Sequence, residues 1–345
     1  MQERLHEIDI LRPLTIVLLV VMHAFTMYAG NWDYPEGIHD VRAYFWVQKI
    51  SFSCMLEMFV FISGYILGYQ VYSRHKHYTF GSILVNKLRR LMLPSVLFSL
   101  LYIVCFTSYI PDHAWTRITY QALAGMAHLW FLPMLFWCFL ISHVLLQWNI
   151  NDLAKLGLLL VLSLFSHLPL PLQLNMSCYY MFFFYLGIVM YRHRGSLKQY
   201  AEKNIIGIAV SLIGYIAIVI LFTRTIESLS LVQPSDRFEK LLLLAQINAC
   251  KIVYATAGVM LLYMLAIYYT SRASVNKYIV SFNYYCFSIY IFHQFIIEAL
   301  YYHTSIPQIL GTYWTPWAGT IIGLLVSYAL AHLVLLTKTG KYLLG

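Results

Sequence analysis

Charged residues are scarce in this sequence of 345 residues, and their scarcity excludes several classes of protein. Asp, Glu, Lys and Arg together make up 11% of the chain, whereas hydrophobic residues make up 61%. A soluble globular domain carries about 25% charged and about 45–50% apolar residues, so this chain has too few charges to cover a surface exposed to water. Disordered segments are also excluded, because they are polar and poor in aromatic residues. The composition predicts a polytopic membrane protein.

The sequence also lacks the motifs of several common chemistries. None of its six cysteines has a CxxC spacing, and all six lie in apolar stretches. They are therefore predicted to be small core residues rather than metal ligands or disulfide partners. There is no P-loop, no GxGxxG motif and no HExxH motif. We expect no metal site and no bound cofactor.

The sequence does contain a series of ten apolar runs. They fall at residues 13–29, 46–69, 91–109, 129–147, 156–168, 178–191, 205–223, 244–268, 279–300 and 316–336. A helix crosses the hydrocarbon core with about 20 residues, so the runs predict an all-α bundle of about ten transmembrane helices in one domain over residues 1–345. The fifth and sixth runs are short. The first run lacks a signal-peptide cleavage site, so we expect it to be retained as a span.

Basic residues are distributed unevenly over the loops between the runs. If the N-terminus is cytoplasmic, sixteen of the 23 lysines and arginines fall on the cytoplasmic side and seven on the other. This bias follows the positive-inside rule, so both termini are predicted to be cytoplasmic. The net charge of +9 is then a signal of topology, and we expect no nucleic acid partner.

Ionisable residues lie just before and inside the first apolar run. Asp9 and Pro13 suit a helix start, as a capping acid and a first-turn proline, and Arg12 is predicted at the cytoplasmic interface. His23 follows eleven residues later, about 16 Å along a helix and on the same face. Because arginine binds phosphate and histidine acts as a base, this face suits a ligand with an anionic head and a long arm. The alternative is a snorkelling arginine with a hydrogen-bonded core histidine.

Other polar residues in or near the runs are secondary candidates. Lys87, Arg89 and Arg90 form the densest basic cluster, which is either a second phosphate clamp or a positive-inside anchor. Glu57 is predicted to lie mid-membrane, where a carboxylate must be protonated or paired; it either orients His23 or links helices. The remaining candidates, each with an alternative as a packing or interfacial residue, are Ser63, His128, Trp130 and His293.

Five segments resemble the membrane acyltransferase-3 family of sugar O-acyltransferases. In the family's order they are Ile8-Asp9-x-Leu11-Arg12 with His23 after ten further residues, Phe59-Val-Phe-Ile-Ser-Gly-Tyr65, Lys87-x-x-Arg90-Leu-Met-Leu-Pro94, His128-Leu-Trp-Phe-Leu132 and Ser288-Ile-Tyr-Ile-Phe-His293. The resemblance covers the first four runs and the ninth. Lys87 stands where the family often has arginine, which keeps the charge but loses bidentate geometry. Glu57 stands where relatives often have proline, so no family role is assigned to it.

The resemblance implies an integral membrane enzyme of a bacterial inner membrane, surrounded by lipid. It would transfer an acyl group, usually acetyl, from cytoplasmic acyl-CoA to a hydroxyl of a surface glycan or its lipid-linked precursor, and so modify a polysaccharide. Carried over to this chain, His23 is the catalytic residue and Arg12 its partner for donor binding. Lys87 and Arg90 match the paired basic motif.

These expectations combine into one mechanism and two alternatives. The CoA phosphates are expected at Arg12, Lys87 and Arg90, while His23 acts as the base or as a transient acyl carrier. One alternative is a secondary transporter or glycan flippase that uses buried His and Glu for proton coupling, although no internal repeats are visible. The other is a sensor or scaffold. The sequence carries no signal of an oligomeric state.

Overall fold

A computed structural model describes residues 4–106 and 115–344, and every regular element in them is helical. The helices are α1 (His6–Ala24), α2 (Arg42–Phe52), α3 (Met55–Tyr72), α4 (Phe80–Lys87), α5 (Leu93–Cys105), α6 (Trp115–Ala124), α7 (Phe131–Gln147), α8 (Asp152–Leu164), α9 (Leu174–Arg192), α10 (Arg194–Lys203), α11 (Ile205–Ser230), α12 (Arg237–Arg272), α13 (Lys277–Tyr302), α14 (Ile306–Leu336) and α15 (Lys338–Leu344). Tighter or wider helical turns cover Thr26–Ala29, Leu88–Met92 and Ala127–Trp130. The prediction of an all-α chain is confirmed. The end of the predicted run 91–109 lies outside the described residues.

Within the described part of the chain, seven helical segments are long and apolar enough to cross a membrane. They are Arg42–Tyr72, Phe80–Cys105, Ala127–Gln147, Leu174–Arg192, Ile205–Ser230, Arg237–Arg272 and Ile306–Leu336. The hydrocarbon core requires a helix of about 20 residues, and each segment has about this length or more. The chain is therefore an integral, multi-pass membrane protein.

Three predicted runs are helical but do not belong to these seven segments. Helix α1 carries three charged residues in its first two turns, and α8 has 13 residues, fewer than the span of about 20. Helix α13 is long enough, but its tyrosines and its Asn, His, Gln and Glu lower its mean hydropathy. The count of ten spans and the cytoplasmic termini stay predictions.

Residue contacts divide the chain into two units that are interleaved in sequence. The first unit comprises the described residues up to Phe59, with Arg194–Val232 and Cys250–Lys338. The second comprises the described residues of Val60–His193, with Gln233–Ala249 and the chain from Thr339 onward. The single membrane domain predicted over residues 1–345 stays a prediction.

In the first unit, α1 packs against α2, α13 and α14, and α13 packs along α14. Two glycines on α14, four residues apart, make the contact with α13 close. A Cβ on Gly319 would collide with the hydroxyl of Tyr301, and one on Gly323 would lie 3.0 Å from Ile297 Cγ1. Small residues at this spacing let helices approach in a membrane, where lipid removes the hydrophobic drive to associate.

In the second unit, α9 packs against α7 and α8, while α4 packs against α7. The second half of α3 also meets α9, through glycines on both helices. A Cβ on Gly64 would collide with the backbone carbonyl of Phe184, and one on Gly187 with the carbonyl of Phe61. These backbones are therefore in direct contact, which no larger residue would permit.

Candidate functional site

Helix α1 begins earlier than the sequence predicts. It starts at His6, so Asp9 lies in its first turn and Pro13 lies inside it. The prediction that Asp9 caps the helix is therefore wrong. The negative charges of Glu7 and Asp9 instead complement the positive N-terminal end of the helix dipole. Pro13, with no N–H to donate, leaves the carbonyl of Asp9 without its usual helical donor but does not stop the helix.

His23, in the last turn of α1, meets His293 of α13. Its Nδ1 lies 3.1 Å from His293 Nε2 and 3.1 Å from the carbonyl oxygen of Leu19. On the other side of the pair, His293 Nδ1 lies 2.7 Å from the carbonyl oxygen of Tyr290. His293 is fully buried, whereas His23 is half-buried. The two imidazoles thus form a hydrogen-bonded pair inside the first unit.

The acceptors around this pair indicate where its protons lie. A carbonyl oxygen can only accept, so His293 Nδ1 donates to Tyr290 and His293 Nε2 carries a lone pair. His23 Nδ1 then carries the proton, which is shared between His293 Nε2 and the carbonyl oxygen of Leu19, and the lone pair of His23 lies on its Nε2. This is the tautomer that a histidine needs in order to take a proton with Nε2, with its other nitrogen oriented by a neighbour.

Arg12 is held near the opposite end of α1. Its Nη1 donates to Asn283 Oδ1 at 3.2 Å, and Asn283 Nδ2 donates to Asp9 Oδ1 at 2.8 Å. Arg4 binds the same carboxylate, with Nε 2.7 Å from Asp9 Oδ2, and this hydrogen bond raises the pKa of Arg4. The charge of Asp9 is therefore balanced by Arg4, while Arg12 hydrogen-bonds to a neutral amide.

The two polar pairs align α1 with α13. Arg12 and His23 are eleven residues apart, and Asn283 and His293 are ten apart, which corresponds to about 16 Å and about 15 Å of helix. In each helix the residue nearer the N-terminus pairs with the residue nearer the N-terminus of the other helix. The two helices therefore run side by side in the same direction. Arg12 and His23 both contact α13, so they share one face of α1, as predicted.

Lys87 and Arg90 line a cavity of about 180 Å³ in the second unit, together with Gln70, Tyr78, Asn86 and Phe139. Lys87 Nζ lies 3.4 Å from the centroid of the Phe139 ring, a cation–π contact. The Tyr78 hydroxyl donates to Gln70 Oε1 at 2.7 Å. Burial raises the pKa of Tyr78, so this phenol remains a donor. With Lys76, which also lines it, the cavity has three cations and several uncharged hydrogen-bonding groups.

A wide, π-helical turn at Leu88–Met92 separates the members of the basic cluster. Pro94 follows it, and proline lacks an N–H and crowds the carbonyl four residues earlier, which favours such a turn. Lys87 and Arg90 reach the cavity. The guanidinium of Arg89 lies instead 4.0 Å from the centroid of the Tyr342 ring.

The other predicted residues lie at separate places. Glu57 is buried on the part of α3 that belongs to the first unit, and Ser63 is on the part that belongs to the second. His128 is buried in the turn before α7, and the ring of Trp130 packs against aromatic rings of α7 and α9. The residue that the structure places against His23 is His293 of α13.

Sequence reasoning missed two residues near the histidine pair and Arg12. Asn283 had a detectable signal, because its spacing to His293 nearly repeats the spacing of Arg12 to His23. Trp32 had no such signal in the sequence. It lies in a loop, where there is no helical periodicity to show which residues share a face. Its ring centroid lies 6.3 Å from that of His23.

In residues 4–106 and 115–344, no group of three His, Cys, Asp or Glu side chains is arranged to hold a metal ion. Comparison with known protein families finds a match over residues 5–336, nearly the whole chain, to the family described as an acyltransferase domain. No curated protein and no solved structure matches the chain. The matched region includes both histidines, Arg12 and the basic cavity.

Proposed function

The chain belongs to this acyltransferase family, and from that premise we propose that it is a membrane O-acetyltransferase. It moves an acetyl group from cytoplasmic acetyl-CoA to a hydroxyl of a surface glycan or of its lipid-linked precursor, in a bacterial inner membrane. The observation that carries this proposal is the His23–His293 pair, on the α1 face that also bears Arg12. The family match does not favour the transporter or flippase alternative.

Arg12 supplies a cation for the anionic part of the donor. Its guanidinium has five N–H donors, and Asn283 accepts from one nitrogen at 3.2 Å. The nearby Asp9 bonds to Arg4, so the charge of Arg12 remains available to a phosphate, which arginine binds with bidentate geometry. Acyl-CoA carries phosphates at one end and its thioester at the other. Arg12 and His23 are likewise separated, by about 16 Å along α1. The phosphate end of the donor can therefore lie at Arg12 while its thioester lies at His23.

Lys87 and Arg90 supply a second anion site. Their cavity of about 180 Å³ is smaller than the roughly 300–1,000 Å³ of pockets that take whole ligands, so it suits one charged part of a ligand. Lys76 lines the same cavity, and Asn86 and Tyr78 add hydrogen-bonding groups beside the three cations. We assign this cavity to an anionic group of about the size of a phosphate.

His23 acts as the general base. Its Nε2 takes the proton of the acceptor hydroxyl while that oxygen attacks the thioester carbonyl. A C–O bond forms, the C–S bond breaks, and its electron pair leaves on sulfur. The CoA thiolate then takes the proton from His23, which returns to its neutral form. His293 orients His23 through Nδ1 and stabilises the transient imidazolium, and a base of this kind contributes about 10²–10⁴-fold to the rate.

His23 can also act as a transient acyl carrier: its Nε2 attacks the thioester and expels the CoA thiolate, and the acceptor hydroxyl then attacks the acyl-imidazole and loses its proton to that thiolate, which restores neutral His23. The two sequences of steps differ in one observable. An acyl carrier retains label from acetyl-CoA on the protein when the acceptor is omitted, whereas a general base does not.

The experiment that tests the proposal uses purified protein in lipid nanodiscs, radiolabelled acetyl-CoA and fractionated envelope glycans. We expect alkali-labile label on a glycan fraction with the wild-type protein and none above background with His23→Ala. His193→Ala, which changes an exposed histidine after α9, should transfer label normally. Normal transfer by a correctly inserted His23→Ala protein would contradict the proposal.

A further inference from the structure

Residues 30–41 form a loop at the His23 end of α1, between the turn Thr26–Ala29 and α2. Trp32 in this loop is half-buried, and its ring centroid lies 6.3 Å from that of His23. The ring planes of Tyr301 and Tyr302 are inclined to the indole by 86° and 65°, with centroids 6.4 Å and 6.1 Å from that of Trp32. A partly accessible indole therefore borders the proposed base, at the end of α1 opposite to Arg12.

Hydrogen bonds from α13 and α14 hold this loop in place. The Tyr302 hydroxyl donates to the carbonyl of Asp33, the residue after Trp32, at 2.7 Å. The backbone N–H of His39 donates to Thr312 Oγ1 at 3.2 Å. Because the loop is anchored on both sides of its tip, the indole is already ordered before a ligand arrives, which lowers the cost of binding.

The charge of the loop differs from that of the Arg12 end. Asp33, Glu36 and Asp40 are exposed, and residues 30–41 contain no lysine or arginine. Carboxylates repel the phosphates of a CoA donor but accept hydrogen bonds from hydroxyl groups. The loop therefore suits an uncharged ligand rich in hydroxyls, whereas Arg12 suits the anionic donor.

We infer that Trp32 is the residue on which a sugar ring of the acceptor stacks, so that one of its hydroxyls reaches His23. This inference rests on the proposed function. One face of a pyranose ring consists of polarised C–H groups, which pack on the electron-rich face of an indole while the hydroxyls project from the edge. The ligand of this subsite is a neutral hexose ring. A flexible open-chain polyol lacks such a face.

The test uses the protein in lipid nanodiscs with radiolabelled acetyl-CoA and soluble acceptors of defined structure. The acceptors are the methyl glycosides of glucose, galactose, mannose, rhamnose and N-acetylglucosamine, and sorbitol serves as the open-chain polyol. The variants are Trp32→Ala and Trp32→Phe. Trp314→Ala is the matched control, because Trp314 lies on α14 two residues after Thr312, which accepts a hydrogen bond from this loop, and is 68% exposed. Hydrolysis of acetyl-CoA in the absence of acceptor measures the basal activity.

We expect at least one glycoside to be a better acceptor than sorbitol for the wild-type protein. Trp32→Ala should raise the KM for that glycoside about tenfold, the effect of losing one aromatic contact. The KM for acetyl-CoA should change by less than about twofold, because Trp32 lies at the end of α1 opposite to Arg12, where the anionic part of the donor is proposed to bind. Trp32→Phe should recover most of the loss, and Trp314→Ala should behave as the wild type.

The inference is overturned if no glycoside accepts acetyl from a protein whose hydrolysis of acetyl-CoA depends on His23. It is also overturned if Trp32→Ala impairs glycosides and sorbitol equally, or leaves the glycoside KM unchanged. A protein that neither hydrolyses acetyl-CoA nor transfers its acetyl group in a His23-dependent manner contradicts the proposed function itself. The outcomes thus separate failure of the sugar subsite from failure of the function.

Discussion

Arg12 hydrogen-bonds to a neutral amide although a carboxylate lies three residues away. Asn283 is inserted between them, since it accepts from Arg12 and donates to Asp9. An ion pair between Arg12 and Asp9 would leave less positive charge for a ligand. The arrangement with Arg4 on Asp9 instead keeps a cation on the α1 face that leads to His23.

Asn283→Asp should weaken donor binding, because a carboxylate at this position pairs with Arg12 and competes with phosphate. We expect the KM for acetyl-CoA to rise about tenfold with little change in kcat. This pattern is expected when an interaction is lost that binds the substrate and the transition state equally. Asn276→Asp is the matched control, since it adds the same charge at the N-cap of α13, where Asn and Asp cap equally well. Equal effects of the two aspartates on KM would contradict this role of Asn283.

His293 is expected to act as a positioning residue for His23. His293→Ala should lower kcat about 10–100-fold, the range for loss of an orienting partner, with the KM for acetyl-CoA nearly unchanged. His293→Gln should retain more activity, because its amide oxygen can accept from His23 Nδ1. His332→Gln, on α14, serves as the control. If the Gln and Ala variants lose kcat equally and unfold at equally lowered temperatures, His293 has a structural role instead.

Sequence reasoning located Arg12 and His23 on one helix face because helical spacing within a single helix is fixed. It listed His293 as a candidate but did not pair it with His23, since 270 residues separate the two and contact between helices depends on packing. It also placed Arg89 with Lys87 and Arg90. The wide turn before Pro94 alters the helical spacing, and Arg89 lies over Tyr342 instead.

At the scale of single elements, close helix contacts depend on glycine. Gly187 of α9 meets the carbonyl of Phe61 on α3, and Gly64 of α3 meets the carbonyl of Phe184. A backbone cannot move aside as a long side chain does. Hydropathy does not predict these contacts. It locates a helix in the sequence but does not indicate which face of the helix packs against a neighbouring helix.

Gly187→Ala should destabilise the protein, since its methyl group would overlap the Phe61 carbonyl. Overpacking of this kind costs about 1–3 kcal/mol, so we expect a clear fall in the unfolding temperature in a fixed detergent. Gly214→Ala on α11 is the control, because a Cβ there meets nothing within 4 Å. Equal unfolding temperatures for the two variants would show that α3 and α9 are not in close backbone contact.

The two helices that carry the histidine pair, α1 and α13, are notable for their polar residues. Neither α1 nor α13 belongs to the seven segments that are apolar enough to cross a membrane, although both lie in predicted runs. Their polar residues, including Arg12, His23, Asn283 and His293, face one another. Sequence patterns therefore predicted that these helices exist, but the contacts that pair their polar residues form only when the helices pack together.

At the scale of the whole molecule, the uneven distribution of charge leads to a prediction of topology. Sixteen of 23 basic residues are expected on the cytoplasmic side, together with both termini. A green fluorescent protein fused after Gly345 should therefore fluoresce, and alkaline phosphatase fused there should be inactive. Phosphatase fused after Val232, between α11 and α12, should be active. An active phosphatase after Gly345 would overturn the predicted orientation.

The most direct test of the account is the single-turnover rate of acetyl transfer by His23→Ala at saturating acetyl-CoA and acceptor. With binding saturated, this rate reports the chemical step alone. We predict that it falls at least about 100-fold below the wild-type rate, as expected when a general base is removed. An inserted and correctly folded variant that transfers acetyl at the wild-type rate would contradict the central claim that His23 performs the chemistry.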